Sequence, residues 1–330
     1  MKYVFLIGSE HQLMQVDFAI NHFHILSEDL ILLVQEISTT NKLSSRIKDN
    51  PKYGVIHSFE NWKFIDLFKL NKNHINFVNI CLNIKAKHKK ITFFTSHYSD
   101  DSTFLFFSVA KPMQFFLMDE GTASYSVLLK RNDSFSSLKF KLFIKSILYT
   151  EILKPPSSIT YFTRFNFIPG INDKKEFYKV EKVDNTIELN FNQFGFLGSS
   201  VVELNMMDEG DYLFYLKKIA FQNRNKQLLY FKHRKEENVK LSKVEIIGFQ
   251  VIDLDLPFER HFESQVIIPS VLSSFFTTSV LINISENFRY IPKLEINVFP
   301  MTSLKRERLI YENILKYLEK DTNFNIIYHD

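Results

Sequence analysis

Tyr3-Val4-Phe5-Leu6-Ile7-Gly8 opens the chain with an unbroken apolar run closed by a glycine. Continuous apolarity without alternation is what a strand buried on both faces of a parallel sheet requires. Residues 12–26 then carry apolar side chains near helical spacing, so the opening reads as strand, loop and helix. Short β-rich runs recur at 30–34, 54–56, 91–94 and 114–118, with helical or polar stretches such as 62–70 and 75–85 between them. Strands that alternate with helices predict an α/β domain with a mostly parallel sheet.

The chain has 330 residues, enough for about two domains that each bury a core. Residues 170–190 are polar and weakly patterned, and the linker is expected there, dividing the chain into 1–185 and 186–330. A second α/β pattern follows: a strand near 190–196, a helix at 209–222, strands at 227–232 and 251–254, then 271–276 leading into a helix near Thr278. An amphipathic helix at 303–319, with Ser303 as a loose cap, is a candidate to pack back on the first domain.

Composition narrows the function. Lys and Arg number 41 against 37 Asp and Glu, a net charge of +4 without a single-sign cluster, which argues against a nucleic-acid partner. Cys81 is the single cysteine, so neither an internal disulfide nor a thiolate metal cluster can form. The opening apolar run is too short for a signal-peptide core, and no run approaches the roughly 20 residues of a membrane span. The expected location is cytoplasmic. Residues 132–150 mix Lys139, Phe140, Lys141, Phe143 and Lys145 in an amphipathic pattern that fits an ordinary surface helix or contact with an inner-membrane surface. Phe is abundant at 35 residues, whereas the 8 Gly fall well below the roughly 23 of average usage.

Four segments could carry chemistry, each at the carboxyl end of an expected strand, the edge where ligands bind in open α/β sheets. In Met118-Asp119-Glu120-Gly121-Thr122 a strand delivers two carboxylates and a glycine. That suits either a polar turn or a general base whose pKa burial and a neighbouring charge raise. In Tyr230-Phe231-Lys232-His233-Arg234-Lys235-Glu236 a strand ends in a histidine among cations, a structural end or a site for a phosphate. Leu254-Asp255-Leu256-Pro257-Phe258-Glu259 and Ser273-Ser274-Phe275-Phe276-Thr277-Thr278-Ser279 bring a carboxylate and hydroxyls to a strand-to-helix transition, which serve as caps or as a phosphate cradle. Asp253-Leu254-Asp255 has the Asp-x-Asp form of a metal site but alternates within an apolar strand. Asp208-Glu209-Gly210 precedes a helix, where acids suit the dipole. Asp211 is a second candidate base.

Those segments, with Phe196-Leu197-Gly198-Ser199, Val202-Glu203-Leu204, Tyr212-Leu213, Lys217-Lys218-Ile219 and Gly248-Phe249-Gln250-Val251-Ile252, resemble bacterial sialyltransferases of the lipooligosaccharide and capsular polysialyltransferase type. The resemblance runs in order over roughly residues 115–285; Gly8 and Gln12 match the opening strand and loop more loosely. It implies a GT-B fold, two Rossmann-like domains facing across a cleft, and inverting transfer of sialic acid or a related nonulosonic acid from a CMP-linked donor, with no metal or other cofactor. The acceptor would be a glycan of lipooligosaccharide, lipopolysaccharide or capsule.

By position, Asp119 would be the base, with Glu120 and Gly121 completing its motif, and His233 the acid that protonates or hydrogen-bonds the departing phosphate, beside Arg234. Glu259, next to Pro257 and Phe258, would hold the ribose. Thr277 and Thr278, or alternatively Ser273 and Ser274, would hold the phosphate, with Ser199 at the donor side; Gln12 and His97 would stand on the acceptor side. Arg234 replaces a proline found after the histidine in many members, and the threonine pair replaces serines. Open alternatives are another donor, such as CMP-Kdo or a nucleotide diphosphate sugar, and a catalytically inactive GT-B-like scaffold.

Overall fold

A computed structural model describes residues 1–36, 43–60, 72–119, 124, 127–128, 153, 156–165, 167–179, 182, 187–254, 258–265, 267–306 and 308–329. It divides into two compact units, Met1–Lys179 and Val180–Asp330.

In the first unit the apolar opening run forms β1 (Lys2–Ile7), followed by α1 (Glu10–Phe23), β2 (Leu30–Glu36), α2 (Leu43–Ile47), β3 (Val55–Glu60), α3 (Lys72–Lys87), β4 (Ile91–Thr95), α4 (Asp101–Ala110), β5 (Gln114–Met118), β6 (Thr160–Thr163) and β7 (Lys174–Phe177). The strands form one parallel sheet in the order β3-β2-β1-β4-β5-β6-β7. The order reverses between β1 and β4, the Rossmann-type switch point.

The phenylalanine surplus has a structural use here. Phe5, Phe94 and Phe116 are register neighbours on β1, β4 and β5, and their rings stack at 4.4 and 4.5 Å between centroids. Phe23 from α1 closes edge-on over Phe94 and Phe116. Offset aromatic pairs of this kind add to the area they bury. Part of the expected linker is in fact structure: β7 pairs with β6 as an edge strand. Lys174-Lys175-Glu176-Phe177 is too short and polar to show as a strand in sequence, and an edge position tolerates that polarity.

The second unit runs β8 (Glu188–Leu197), α5 (Glu209–Gln222), β9 (Gln227–Phe231), α6 (Asn238–Ile247), β10 (Gln250–Ile252), α7 (Phe258–Ser264), β11 (Ile267–Phe275), α8 (Val280–Asn287), β12 (Lys293–Val298), α9 (Arg308–Leu318) and β13 (Phe324–Tyr328). Its parallel sheet has the order β10-β9-β8-β11-β12-β13, with the switch point between β8 and β11. Ser303 does not cap the last helix. It ends a short 3-10 turn (Met301–Ser303), Leu304 bridges to Met207, and α9 starts at Arg308. Within this unit, α9 packs Tyr311 edge-on against Phe276 and hydrogen-bonds Tyr317 to Glu286.

The amphipathic segment expected at 132–150 and the stretch at 62–70 lie outside the described residues. Among the described residues no helix is long and apolar enough to cross a membrane.

Candidate active site

Because both sheets are parallel, every strand of a unit delivers its following loop to one edge. In the first unit that edge carries Gly8, Gln12, His97 and Asp119. Gln12, fully buried in the first turn of α1, accepts from the Gly8 backbone N–H at 2.6 Å through Oε1 and meets His97 Nε2 at 2.6 Å through Nε2. An amide nitrogen only donates, so His97 Nε2 accepts and a neutral His97 carries its proton on Nδ1. The two residues therefore meet at the β1/β4 switch point.

Asp119 follows β5 directly and is fully buried. Oδ1 accepts from Ser124 Oγ at 2.5 Å, and Oδ2 accepts from the Arg164 backbone N–H at 3.0 Å. Burial pushes the carboxyl up to about 6; the Ser124 hydroxyl and the Arg164 charge pull the other way without cancelling it. A carboxylate poised there takes up a proton near neutral pH far more readily than an exposed one. Glu120 and Gly121 lie outside the described residues.

In the second unit the same edge carries Gly198 and Ser199 after β8, His233 after β9, and Thr277 and Thr278 after β11. His233 is half-buried, with exposed Arg234 and Lys235 beside it. Burial, reinforced by the charges of Arg234, Lys235 and Lys240, lowers its pKa to about 4, so the imidazole is neutral at pH 7. Its Nδ1 accepts from the Lys235 backbone N–H at 3.3 Å, which leaves the proton on Nε2.

The loop that bears His233 is tied down by a buried polar network that the sequence reading did not identify. Glu236 Oε2 accepts from the His233 backbone N–H at 2.6 Å, and Oε1 accepts from the Tyr230 hydroxyl at 2.5 Å. Tyr230 meets Tyr212 hydroxyl to hydroxyl at 2.7 Å. Lys240, 3% exposed, pairs with Glu236 at 2.7 Å and with Glu203 at 3.0 Å, and donates to the Ser199 carbonyl at 3.0 Å. Gly198 packs over this cluster, where a Cβ would lie 2.3 Å from Glu236 Oε2. One sequence signal could have found part of it: Glu236 and Lys240 stand at the i,i+4 spacing of an ion pair on a helix.

Glu259, in the first turn of α7, is buried and accepts from Asn283 Nδ2 of α8 at 2.7 Å. That bond ties the proposed ribose carboxylate to the helix that follows Thr277 and Thr278. Ser273 and Ser274 lie inside β11 and are fully buried; Asn297 donates to Ser273 Oγ at 2.6 Å. Thr277 and Thr278 lie beyond the strand end, and Thr277 Oγ1 is buried with no hydrogen-bond partner among the described residues. Phe258 packs edge-on against Phe231 at 4.7 Å as part of the core. Pro257 and Asp255 lie outside the described residues, and Asp253 pairs with Lys232 at 2.6 Å. Asp208 pairs with Lys305 at 2.6 Å, Glu209 with Lys243 at 3.0 Å, and Asp211 is exposed on α5.

No protein-family model and no curated protein matches the chain. Among solved structures it is similar to MurG of Acinetobacter baumannii, with 8% identity, a TM-score of 0.45 and coverage of 99% of this chain and 86% of that one. It is similar to a sialyltransferase from Photobacterium damsela, with 11% identity, a TM-score of 0.49 and coverage of 99% and 81%. The spinosyn forosaminyltransferase SpnP gives 9% identity, a TM-score of 0.50 and coverage of 99% and 86%. With two parallel sheets of Rossmann order and this likeness to SpnP, the chain has the two-domain GT-B fold.

Proposed function

We propose that this chain is an inverting glycosyltransferase that moves sialic acid, or a related nonulosonic acid, from a CMP-activated donor to a glycan hydroxyl of a bacterial surface polysaccharide, without a metal ion. The observation that carries this reading is His233: a neutral imidazole with its proton on Nε2, flanked by Arg234 and Lys235, at the carboxyl edge of a nucleotide-type sheet.

In the reaction, Asp119 removes the proton of the acceptor hydroxyl as that oxygen bonds to the anomeric carbon of the donor sugar. The bond from that carbon to the phosphate oxygen breaks, and CMP leaves with the electron pair. His233 Nε2–H hydrogen-bonds the phosphate as negative charge grows on it, and Arg234 adds a second positive group. Both interactions strengthen toward the transition state, the condition for accelerating the step. With its pKa at about 4 the imidazole is neutral and serves as a hydrogen-bond donor; once the anionic donor phosphate has raised its proton affinity, the ring takes a second proton from solvent and, as imidazolium, gives one to the departing phosphate. The hydroxyls of Thr277 and Thr278 hold the phosphate, and Glu259, oriented by Asn283, holds the ribose.

The test is a screen of CMP-sugars with release of CMP as readout, beside thermal shifts with CMP, UDP and GDP. Stabilisation by CMP alone, with turnover of a CMP-nonulosonic acid, is the expected result. Stabilisation by UDP or GDP instead assigns another donor, and CMP binding without turnover of any CMP-sugar overturns the enzymatic reading.

A further inference from the structure

The outward face of α5 departs from the usual amphipathic plan. Its inner stripe, Tyr212, Tyr215, Leu216, Ile219 and Ala220, is buried against the sheet, so the opposite side should be polar. It instead presents Phe214 and Phe221, seven residues apart on one stripe, with 54% and 67% of their surfaces exposed. The neighbouring helix repeats the arrangement with Val239 and Ile246, also seven apart, 67% and 85% exposed. Successive right-handed crossovers from β8 to β9 to β10 put α5 and α6 side by side on one face of the sheet, and Lys243 of α6 joins Glu209 of α5 in an ion pair. A single exposed apolar side chain is ordinary; two aligned pairs on adjoining helices make a patch.

Asp211 is exposed one turn before Phe214, and beyond it the charged residues of α5 have one sign. From Tyr212 to Lys235 the sequence contains no Asp or Glu. Lys218 Nζ lies 4.7 Å from the centre of the Phe214 ring, and the Arg224 guanidinium lies 4.3 Å from that of Phe221. Lys217 is exposed on the same outer side, between the two rings. Each ring thus has a cation at its side, the pairing that suits a water–lipid boundary: the ring enters the acyl margin while the cation stays at the level of the phosphates.

We propose that the outer face of α5, through Phe214 and Phe221 with Lys217, Lys218 and Arg224, docks the protein on an anionic lipid bilayer, with Val239 and Ile246 of α6 widening the apolar contact. None of these residues belongs to the edge that carries His233 and Thr277, and docking is independent of the donor sugar.

Co-sedimentation of the full chain with vesicles tests the assignment. Vesicles of phosphatidylethanolamine with phosphatidylglycerol should bind the protein, and phosphatidylcholine vesicles should not. Lys217→Glu with Lys218→Glu should weaken binding at least about tenfold, and Phe214→Ser with Phe221→Ser should do the same, with melting temperature and the response to CMP unchanged. Binding indifferent to lipid charge, binding unaffected by either pair, or a dimer in solution that the phenylalanine pair abolishes would each overturn the proposal, the last by making this face a self-association surface.

Discussion

The backbone N–H of His233 donates to Oε2 of Glu236 at 2.6 Å, so a carboxylate three residues downstream fixes the turn from which the imidazole projects. The same carboxylate is held by Tyr230 and Lys240, so the direction of His233 is set from beneath by groups that do not reach solvent.

Glu236→Ala should therefore cost more than a surface carboxylate would. It leaves the His233 N–H without its acceptor and Lys240, 3% exposed, with Glu203 as its remaining carboxylate. Breaking a buried pair from one side costs about 3–5 kcal/mol. Glu236→Gln keeps an oxygen for the N–H and should lose about half as much. Urea unfolding measures both, and an alanine variant as stable as wild type would show that the loop is held by other means.

Gly198→Ala is the complementary probe, because it adds one methyl group 2.3 Å from Glu236 Oε2 and 2.7 Å from the Tyr230 hydroxyl. Overpacking of this kind costs about 1–3 kcal/mol, and here it also pushes the group that orients His233. Gly210→Ala, where an added Cβ meets nothing within 4 Å and the residue sits in the first turn of α5, should stabilise by about 0.5–1 kcal/mol. Equal melting temperatures for the two variants would contradict the packing.

His233 should titrate near 4 in the free protein, because burial and three nearby cations oppose a second proton. Its pKa is depressed, so its contribution to stability is present above the ordinary histidine value of about 6.5 and is lost as pH falls through about 4. A phosphate beside the ring reverses the local field, and CMP should move the titration upward. Imidazole chemical shifts followed with and without CMP read this directly; a midpoint unmoved by saturating CMP would separate His233 from the phosphate.

The sequence makes the fold legible where burial leaves a continuous apolar run or a helical period. The run ending at Gly8, the strand Gln114–Met118 and the helix Glu209–Gln222 stand where their patterns put them. Lys174–Phe177 escapes notice because an edge strand needs no apolar face. The candidate site is legible as strand ends, since chemistry-bearing residues after Met118, Phe231 and Phe275 fall on the carboxyl edge of a parallel sheet. Its support is not. Tyr212, Glu203 and Lys240 come from three separate segments, and only the packed structure brings their polar atoms within 3.1 Å of partners. Phe258 stands next to Glu259 in a motif but packs into the core, because the first turn of α7 turns its ring toward Phe231.

Asp119→Asn tests the base and its buried setting together. In the folded chain the carboxyl is pushed up to about 6, from an ordinary value of 3.8. A raised carboxyl contributes stability that is full below about 3.8 and is lost as pH rises through about 6, roughly 3 kcal/mol in all. Asparagine stays neutral across that range: its oxygen can accept from the Arg164 N–H while its amide donates to Ser124 Oγ. The variant should remain folded, and its stability relative to wild type should rise between pH 4 and pH 7. Glycosyl transfer should fall by about two to four orders of magnitude, the usual contribution of a positioned base. Asp211→Asn, on the exposed side of α5, is the control and should keep near-wild-type turnover. If the Asp211 variant loses activity and the Asp119 variant does not, the base is Asp211, and the buried carboxylate serves to tie β5 to Ser124 and to the Arg164 backbone beyond β6.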